Sequence, residues 1–394
     1  MPGKTYRPLI VTSLGGAIGP PKQLTQQGGR MATYPLKIME KKTEAEDAVS
    51  LYFDVPQDLI GAFGYRPGQF LTVEAEDNGE TIARQYSLSS TPGSHAQLRI
   101  TIKKIEGGRV STWLVDEAAE GDLIEVQIPR GRFFKELDEP SHVVLLAAGS
   151  GIAPILSIGR WLLEHDEGHK ITLVYGNRTP DTVILADEVE DIEAKFADRC
   201  AVQHVMSRAN GNWDGERGRI DRDYVTRHFP DWDDRSGDLP MIFYMCGPEG
   251  FMDATESALQ QFGVPLKSIH RESFDMILED DGDEPGLEVQ GTETPGEEGE
   301  TTKIVAVVGG EEYEADWTEG EDILAALLRV EADVPFSCQE GTCSSCISKL
   351  TQGSVDVRPG VLQTLRQEDL DEGLTLACLS RPKSKSIRID FDEI

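Results

Sequence analysis

Hydrophobic and polar positions alternate over short distances in the first third of the chain. Turn signals such as Pro67-Gly68 and Pro92-Gly93 separate these alternating runs, a rhythm typical of an antiparallel barrel. The strands predicted here are Leu51–Val55, Gln69–Glu74, Arg84–Ser89, Leu98–Ile105 and Leu123–Ile128. We therefore predict a β-barrel domain over residues 33–138.

The pattern changes over residues 139–275, where fully apolar strands alternate with amphipathic helical stretches. The predicted strands are Val143–Ala148, Ile171–Tyr175, Val202–Met206 and Met241–Cys246. This alternation predicts βαβ units around a parallel sheet. The fold class is therefore multidomain, with an antiparallel β-barrel followed by an α/β domain.

An acidic segment separates these two domains from a third. Residues 276–301 contain many Glu and Asp, no Lys or Arg, and several Pro and Gly, so we expect a disordered linker. Residues 302–394 then form an α+β unit, with strands predicted at Lys303–Val308 and Ile387–Phe391 and a helix at Asp322–Val330.

The charge of the chain excludes one class of partner. Acidic residues outnumber basic ones by 70 to 38, so nucleic acid, which needs basic patches, is not expected as a partner. The acidity is spread along the chain and Lys is scarce, which favours adaptation to high salt over docking to a basic protein. No apolar run is long enough to span a membrane, so we predict a cytoplasmic protein without a transmembrane segment.

Residues 1–32 differ from the rest because they contain Lys4, Arg7, Lys22 and Arg30 but no acidic residue. Paired glycines interrupt any regular pattern there. We interpret the segment as an upstream extension before a start at Met31, in preference to a transit peptide, and we expect it to be disordered.

Four of the six cysteines have the spacing of metal ligands. Cys338, Cys343 and Cys346 lie in one short loop and Cys378 follows later, which is the C-x4-C-x2-C…C spacing of plant-type [2Fe–2S] clusters. Gly341 lets the loop approach the cluster closely. Zinc is disfavoured because its sites use paired C-x2-C motifs. A redox dithiol is disfavoured because it would not need Cys338 or Cys378.

A candidate flavin site begins at Arg84-Gln-Tyr86-Ser87. The planar fork of Arg84 suits a pyrophosphate, Tyr86 can stack on an isoalloxazine ring, and Ser87 can donate a hydrogen bond near it. The tetrapeptide alone is also a common strand sequence.

The flavin interpretation is strengthened by a second segment, Gly107-Gly108-Arg-Val-Ser111-Thr112. Its glycines and hydroxyl groups lie where a loop is predicted to enter a helix, which is a favourable place for phosphate.

A candidate nucleotide site follows the strand Val143–Ala148. Gly149, Gly151 and Pro154 lie between this strand and a helix, which is the order that a dinucleotide pyrophosphate requires. Cys246-Gly247-Pro248 ends the last predicted strand, where parallel sheets present ligands. Cys246 could equally be a plain buried cysteine.

These motifs together resemble a known family. Residues 33–275 resemble the ferredoxin–NADP reductase superfamily, and residues 302–394 resemble plant-type ferredoxins. The order is that of hybrid reductases with a C-terminal ferredoxin, and Tyr175-Gly-Asn-Arg-Thr179 and Gly218-Arg-Ile-Asp221 are similar to reductase subunits of phenylacetyl-CoA epoxidases. The resemblance implies an FAD-binding barrel, an NAD(P)-binding α/β domain and a β-grasp ferredoxin domain.

The resemblance also implies roles for individual residues. Ser87, Cys246 and Glu272 would line the hydride-transfer site, and Phe274 would stack on the flavin. The implied FAD contacts are Arg84, Tyr86, Ser87, Gly108, Ser111 and Thr112, and the implied nucleotide contacts are Gly149, Gly151 and Pro154. Gly107 is added to the FAD site, and Cys246, Gly247 and Pro248 to the nucleotide site, from their positions in the motifs above. The chain continues beyond Phe274, which departs from the usual ending of this domain.

Ser207 and Arg208 follow the strand Val202–Met206, at the place where NADP-using relatives bind the 2′-phosphate. Arg178 is a second candidate for this role. We therefore expect NADPH rather than NADH.

The implied electron acceptor is an oxygenase, epoxidase, hydroxylase or desaturase component. Two alternatives stay open: a reductase of a hybrid cluster protein, and a non-catalytic electron-transfer or regulatory subunit.

Overall fold

The computed structural model describes residues 32–77, 80–93, 97–209, 211, 213–274, 287–291, 301–336, 341, 345–358, 361 and 364–393. Its contacts divide the chain into two compact units, one containing Tyr34–Phe274 and the other Asp275–Ile394. The predicted N-terminal extension lies outside the described residues except for Ala32.

Six strands and one helix open the first unit. They are β1 (Thr33–Ala45), β2 (Ala48–Asp54), β3 (Phe70–Asp77), β4 (Glu80–Ser87), β5 (Leu98–Lys103), α1 (Arg109–Asp116) and β6 (Leu123–Gln127). Their order in the sheet is β4-β3-β6-β1-β2-β5, and a bridge between Leu88 and Ile100 joins the end of β4 to β5. The sheet therefore closes, which confirms the predicted barrel. Apolar side chains that alternate along the strands, such as Leu36 and Ile38, fill its interior.

A parallel sheet with helices follows in the same unit. Its elements are β7 (His142–Ala148), α2 (Ile152–His165), β8 (Lys170–Asn177), α3 (Ala186–Lys195), β9 (Cys200–Met206), β10 (Glu216–Arg217), α4 (Arg222–Ser236), β11 (Met241–Cys246), α5 (Glu249–Gln261) and β12 (Ile269–Glu272). Every pair in it is parallel. Leu145 and Leu146 of β7 enter different cores on the two faces, which explains why these strands are apolar throughout.

The strand order of this sheet indicates where a ligand would bind. The order is β10-β9-β8-β7-β11-β12, so the chain runs outward from β7 in one direction and later returns to fill the other side with β11 and β12. Ligands of open parallel sheets bind at the carboxyl ends of the strands where the order reverses. In this sheet that point lies between β7 and β11.

The second unit contains the remaining elements of the part of the chain that the structure describes. They are β13 (Leu287–Gln290), β14 (Lys303–Val308), β15 (Glu311–Asp316), α6 (Ile323–Arg329), β16 (Ile347–Gln352), β17 (Ser354–Val357), α7 (Gln367–Asp371), β18 (Leu374–Leu376), β19 (Ser380–Pro382) and β20 (Ser386–Asp390). Five strands form a mixed sheet in the order β15-β14-β20-β16-β18, and three form a small sheet, β13-β17-β19. The predicted helix is present: Asp322 caps it by accepting a hydrogen bond from the Ala325 amide.

Strand β13 differs from the expected disorder of residues 276–301. Leu287–Gln290 pairs antiparallel with β17, and Val289 is buried in the core of the second unit. Glu288 points outward and forms an ion pair with Lys383. The disorder prediction was wrong for these residues. Their strand pattern is only four residues long and lies within an acidic run, so the composition of the run suggested disorder.

Among the described residues, no helix is long and apolar enough to cross a membrane.

Candidate active site

Three strand ends meet at the binding edge of the parallel sheet. Ser87 ends β4 of the barrel, Cys246 ends β11, and Glu272 ends β12. Cys246 and Glu272 are register partners in the parallel pair, and the Ser87 hydroxyl donates a hydrogen bond of 3.3 Å to the Glu272 carboxylate. The structure therefore brings together three residues that the sequence associates only through family resemblance.

The enclosed position of these three residues raises the pKa of the Glu272 carboxyl and of the Cys246 thiol. Burial raises the pKa of Glu272 to about 8, although the Ser87 hydrogen bond acts in the opposite direction. Burial, and then the nearby Glu272 carboxylate, raise the pKa of the Cys246 thiol well above its ordinary value. At neutral pH the site thus contains an uncharged thiol and a largely protonated carboxyl group that can hold or donate a proton.

The candidate flavin residues Arg84 and Tyr86 also lie on β4. Arg84 donates a hydrogen bond of 2.7 Å to the Ala83 carbonyl. Burial raises the pKa of Tyr86, while the Arg84 charge acts in the opposite direction. Tyr86 packs against the barrel core and pairs in register with Leu71. An aromatic ring, a guanidinium and a hydroxyl therefore lie within four residues of one strand, which fits the needs of a flavin.

The start of α1 has the form of a phosphate cradle. Gly107 has a φ of +74°, and Gly108 is the N-cap, so no side chain caps the helix. A Cβ atom on Gly108 would lie 2.6 Å from the Ser111 hydroxyl oxygen, which itself accepts a hydrogen bond from the Ile105 amide. Thr112 lies in the same first turn. An uncapped helix N-terminus reached through glycine leaves amide groups open to an anion, which fits a pyrophosphate.

The nucleotide loop lies at the reversal of strand order. Gly149 has a φ of +56° and starts a short 3-10 turn, Gly149–Gly151, that leads into α2, where Pro154 is buried. A Cβ atom on Gly151 would lie 2.0 Å from the Cys246 carbonyl oxygen, so only glycine fits there. Gly247 and Pro248 follow Cys246, and Pro248 occupies the N-cap position of α5. The predicted nucleotide motif and the Cys246-Gly247-Pro248 segment are therefore in contact.

Basic side chains line the adjacent strand ends. Ser207 and Arg208 are exposed after β9, and the Arg208 amide donates a hydrogen bond to the Arg178 carbonyl after β8, so both arginines lie at one edge. The Arg178 guanidinium lies 3.3 Å from an Asp47 carboxylate oxygen.

Lys103, which no sequence motif predicted, comes from the barrel and lies at the same place. Its ammonium group is 3.7 Å from Asp47 and 4.0 Å from the position that a Cβ atom on Gly149 would take. Burial lowers the pKa of Lys103; Asp47 opposes this shift and Arg178 adds to it. No local motif marks Lys103, because its relation to Gly149 exists only in the folded chain.

Phe274, the predicted flavin-stacking residue, lies two residues after β12 and is 41% exposed.

The cysteine cluster is described in part. Cys338 and Cys343 lie outside the described residues. Cys346 and Cys378 are buried and form no disulfide with each other, with their sulfur atoms 3.3 Å apart, and the Ala377 amide donates a hydrogen bond to the Cys346 carbonyl. Gly341, which precedes Cys343 by two residues, has a φ of +81°. Two buried thiols at this separation can share one metal ion, which fits a [2Fe–2S] cluster.

Comparisons with protein families match three consecutive regions. Residues 35–134 match an oxidoreductase FAD-binding domain, residues 145–257 an oxidoreductase NAD-binding domain, and residues 306–383 a 2Fe-2S iron-sulfur cluster binding domain. These matches confirm the predicted cofactors, namely FAD, a pyridine nucleotide and a [2Fe–2S] cluster.

Two relatives and one solved structure match over nearly the whole chain. The ferredoxin reductase component of 3-ketosteroid-9-alpha-monooxygenase from Mycobacterium tuberculosis is 36% identical over 91% of this chain and 96% of its own. A subunit of 1,2-phenylacetyl-CoA epoxidase from Escherichia coli is 31% identical over 91% of this chain and 98% of its own. Phthalate dioxygenase reductase is 25% identical, with a TM-score of 0.52 over 91% of this chain and 98% of its own.

Proposed function

Because the chain belongs to the family of FAD-, NAD- and [2Fe–2S]-binding ferredoxin reductase components, we propose that it oxidises NADPH and delivers single electrons to a partner in the cytoplasm. The proposed partner is an oxygenase, epoxidase, hydroxylase or desaturase component. One observation carries the catalytic part of this proposal: Ser87, Cys246 and Glu272 converge where the barrel meets the binding edge of the parallel sheet.

The barrel residues would hold the flavin. Arg84 would bind its pyrophosphate together with the start of α1 at Gly108 and Ser111, and Tyr86 and Ser87 would contact the ring. Gly149, Gly151 and Pro154 would hold the nicotinamide nucleotide, and Lys103 would add a positive charge for its phosphates. When bound, FAD accepts electrons in pairs and releases them singly, and a [2Fe–2S] cluster carries one electron at a time.

Glu272 would act as a proton holder in the hydride-transfer site. Its protonated carboxyl is uncharged, so it can sit beside a nicotinamide ring without the desolvation cost of a buried anion. Ser87 fixes the orientation of this carboxyl through their hydrogen bond. The buried Cys246 would fill the adjacent space and help to exclude water from the reacting atoms.

The preference for NADPH rests on Arg208 and Arg178. NADPH differs from NADH by a 2′-phosphate, and guanidinium groups recognise phosphate through charge-assisted hydrogen bonds. The side chain of Arg208 has no ion-pair partner among the described residues, so it is available to a ligand. Arg178 already contacts Asp47, which makes it the weaker candidate.

The test is anaerobic mixing of the purified protein with NADPH or NADH. We expect either nucleotide to bleach the flavin absorbance, NADPH at the lower concentration, and subsequent addition of cytochrome c to restore it. A flavin that neither nucleotide bleaches would contradict the proposed activity and favour a non-catalytic subunit. Bleaching with no preference for NADPH would contradict only the choice of nucleotide.

A further inference from the structure

A buried ion pair joins the two halves of the first unit. Arg99 lies on β5 of the barrel and is 6% exposed. Its guanidinium contacts both carboxylate oxygens of Glu188, which lies in the first turn of α3 beside the parallel sheet. The nicotinamide and flavin sites are assigned to different halves, so this pair bridges the two parts that must be aligned for hydride transfer.

The same guanidinium also holds the chain just beyond the active site. It donates hydrogen bonds of 2.9 Å to the Ser89 hydroxyl and 2.7 Å to the Ser89 carbonyl, and one of 3.1 Å to the Tyr52 hydroxyl. The Arg99 amide donates to the Ser90 hydroxyl oxygen. Ser89 lies two residues after Ser87, so Arg99 fixes the segment that carries Ser87 into the site.

A second contact fastens this segment to the nucleotide-binding half. The hydroxyl of Ser157, which is fully buried in α2, donates a hydrogen bond of 2.7 Å to the Ser90 carbonyl. Helix α2 begins directly after the Gly149–Gly151 turn. The segment after Ser87 is therefore held by α2 directly and by α3 through Arg99 and Glu188.

Stability alone does not explain why this ion pair is buried. A buried ion pair contributes little net stability, because desolvation of the two charges offsets their attraction, and apolar residues of similar size often stabilise as well. What a forked, fully hydrogen-bonded arginine supplies is a fixed relative geometry. Here the fixed quantity is the placement of Ser87 relative to the nucleotide loop.

We propose that Arg99 and Glu188 are positioning residues that align the flavin-bearing barrel with the nucleotide-bearing sheet for hydride transfer. Neither residue belongs to the predicted sites, and both act through Ser89 and the helices α2 and α3. This inference rests on the proposed function, because alignment matters only if hydride passes between the two halves. Misplacement of reacting atoms by about 1 Å can lower a rate by about 100-fold.

The test compares flavin reduction in Arg99→Gln, Glu188→Gln and Arg99→Lys with wild type by stopped-flow absorbance. We expect the limiting rate of flavin reduction by NADPH to fall by about 10- to 100-fold in the two glutamine variants, with unchanged FAD content and nucleotide Kd. The deuterium isotope effect measured with 4-deuterated NADPH should rise, since hydride transfer becomes more limiting. Arg99→Lys, which keeps the charge but not the fork, should recover part of the rate.

Lys195→Gln is the matched control. Lys195 pairs with Glu164 between α3 and α2, so this pair lies within the nucleotide-binding half and does not reach the barrel. We expect it to reduce flavin at the wild-type rate. If an Arg99 variant loses FAD, the result for Glu188→Gln decides whether the pair has a positioning role. Its side chain is the more exposed of the two, so its replacement should disturb the fold less.

Wild-type reduction rates and isotope effects in both glutamine variants would overturn the positioning role, even if their melting temperatures fell. A higher nucleotide Kd with an unchanged limiting rate would also overturn it, because this would indicate a binding defect. Wild-type protein that neither nucleotide bleaches would overturn the proposed function, and this inference with it.

Discussion

The two units of this chain assemble their chemistry in different ways. In the first unit the hydrogen-bonded Ser87 and Glu272 stand 185 residues apart and belong to different sheets. In the second unit the two described thiols, Cys346 and Cys378, are separated by 32 residues and lie in one small domain. The first site depends on the docking of a barrel against a parallel sheet, whereas the second depends on one loop and a neighbouring turn.

The two kinds of site should respond differently to mutation. In the first unit many contacts share the task of placing the reacting groups, so single changes should lower rates or affinities by degrees. In the second unit each cysteine that we propose as a ligand has no substitute, so single changes should remove the cluster. The largest effect is therefore expected at a cluster thiolate.

Cys346→Ser should have this largest effect. A serine hydroxyl remains protonated at neutral pH and is a poor ligand for iron. We expect the purified variant to lose the iron and the brown colour of the cluster while it retains FAD. Iron analysis and electron paramagnetic resonance after dithionite reduction would measure this.

Cys200→Ser is the control for that experiment. Cys200 is a buried cysteine at the start of β9 in the other unit, and no cluster role is assigned to it. It should retain iron. Full iron occupancy in Cys346→Ser would contradict its assignment as a ligand and weaken the contrast between the units.

Arg208→Ala should have a graded effect on nucleotide choice. Loss of a charge-assisted contact with the 2′-phosphate is worth about 1.5–3 kcal/mol, or about 10- to 150-fold in affinity for NADPH. Affinity for NADH should stay near its wild-type value. Titration with both nucleotides checks this, and an equal loss for both would refute a role in binding the 2′-phosphate.

Val289→Ala tests whether β13 belongs to the second unit. Val289 is 2% exposed in that core, so we expect a loss of about 1–3 kcal/mol in the free energy of unfolding of that unit. Thermal melting followed through the visible circular dichroism of the cluster would report it. Glu288→Gln, which removes the exposed charge that faces Lys383, should have a much smaller effect, because exposed ion pairs contribute little to stability. Equal effects would argue against a structural role for β13.

Glu272→Gln tests the raised pKa of this half-buried residue through the pH dependence of stability. The Glu272 carboxyl ionises near its ordinary pKa when unfolded but near 8 when folded, so folding takes up a proton between those values. Its stabilising contribution is complete at low pH and is lost as the pH rises through about 8. The free energy of unfolding should therefore fall across this interval by at most about 1.4 kcal/mol per pH unit.

Urea denaturation at several pH values, followed by flavin fluorescence, would measure that slope in the first unit. Glu272→Gln should lack this slope, and the exposed Glu190→Gln should keep it. The same pH dependence in wild type and Glu272→Gln would show that the Glu272 carboxyl titrates normally.

The sequence predicts local features of this chain well and tertiary ones poorly. The cysteine spacing and the Gly149-Ser-Gly151 turn follow from short segments whose residue types have few alternative uses. Lys103 could not be found this way, since its relation to Gly149 arises when β5 packs beside another sheet. Arg99 and Glu188 were missed for the same reason, because each resembles an ordinary surface charge in the sequence.

Strand β13 was missed for a different reason. Its four residues include one buried residue, Val289, within an acidic stretch. The acidic composition therefore predicted disorder more strongly than the short alternation predicted a strand. Glu272 was identified only by family resemblance, because nothing in the segment around it predicts a raised pKa. That property comes from burial against the barrel, which is a consequence of the fold.

In the proposed route, electrons enter at the first unit and leave through the cysteines of the second. Cys378→Ser in the full chain tests this route, with flavin bleaching and cytochrome c reduction measured on the same sample. We expect NADPH to bleach the flavin at the wild-type rate while cytochrome c reduction is almost abolished. Cytochrome c reduction at the wild-type rate in a variant shown to lack iron would rule out this route, because electrons would then leave from the flavin directly.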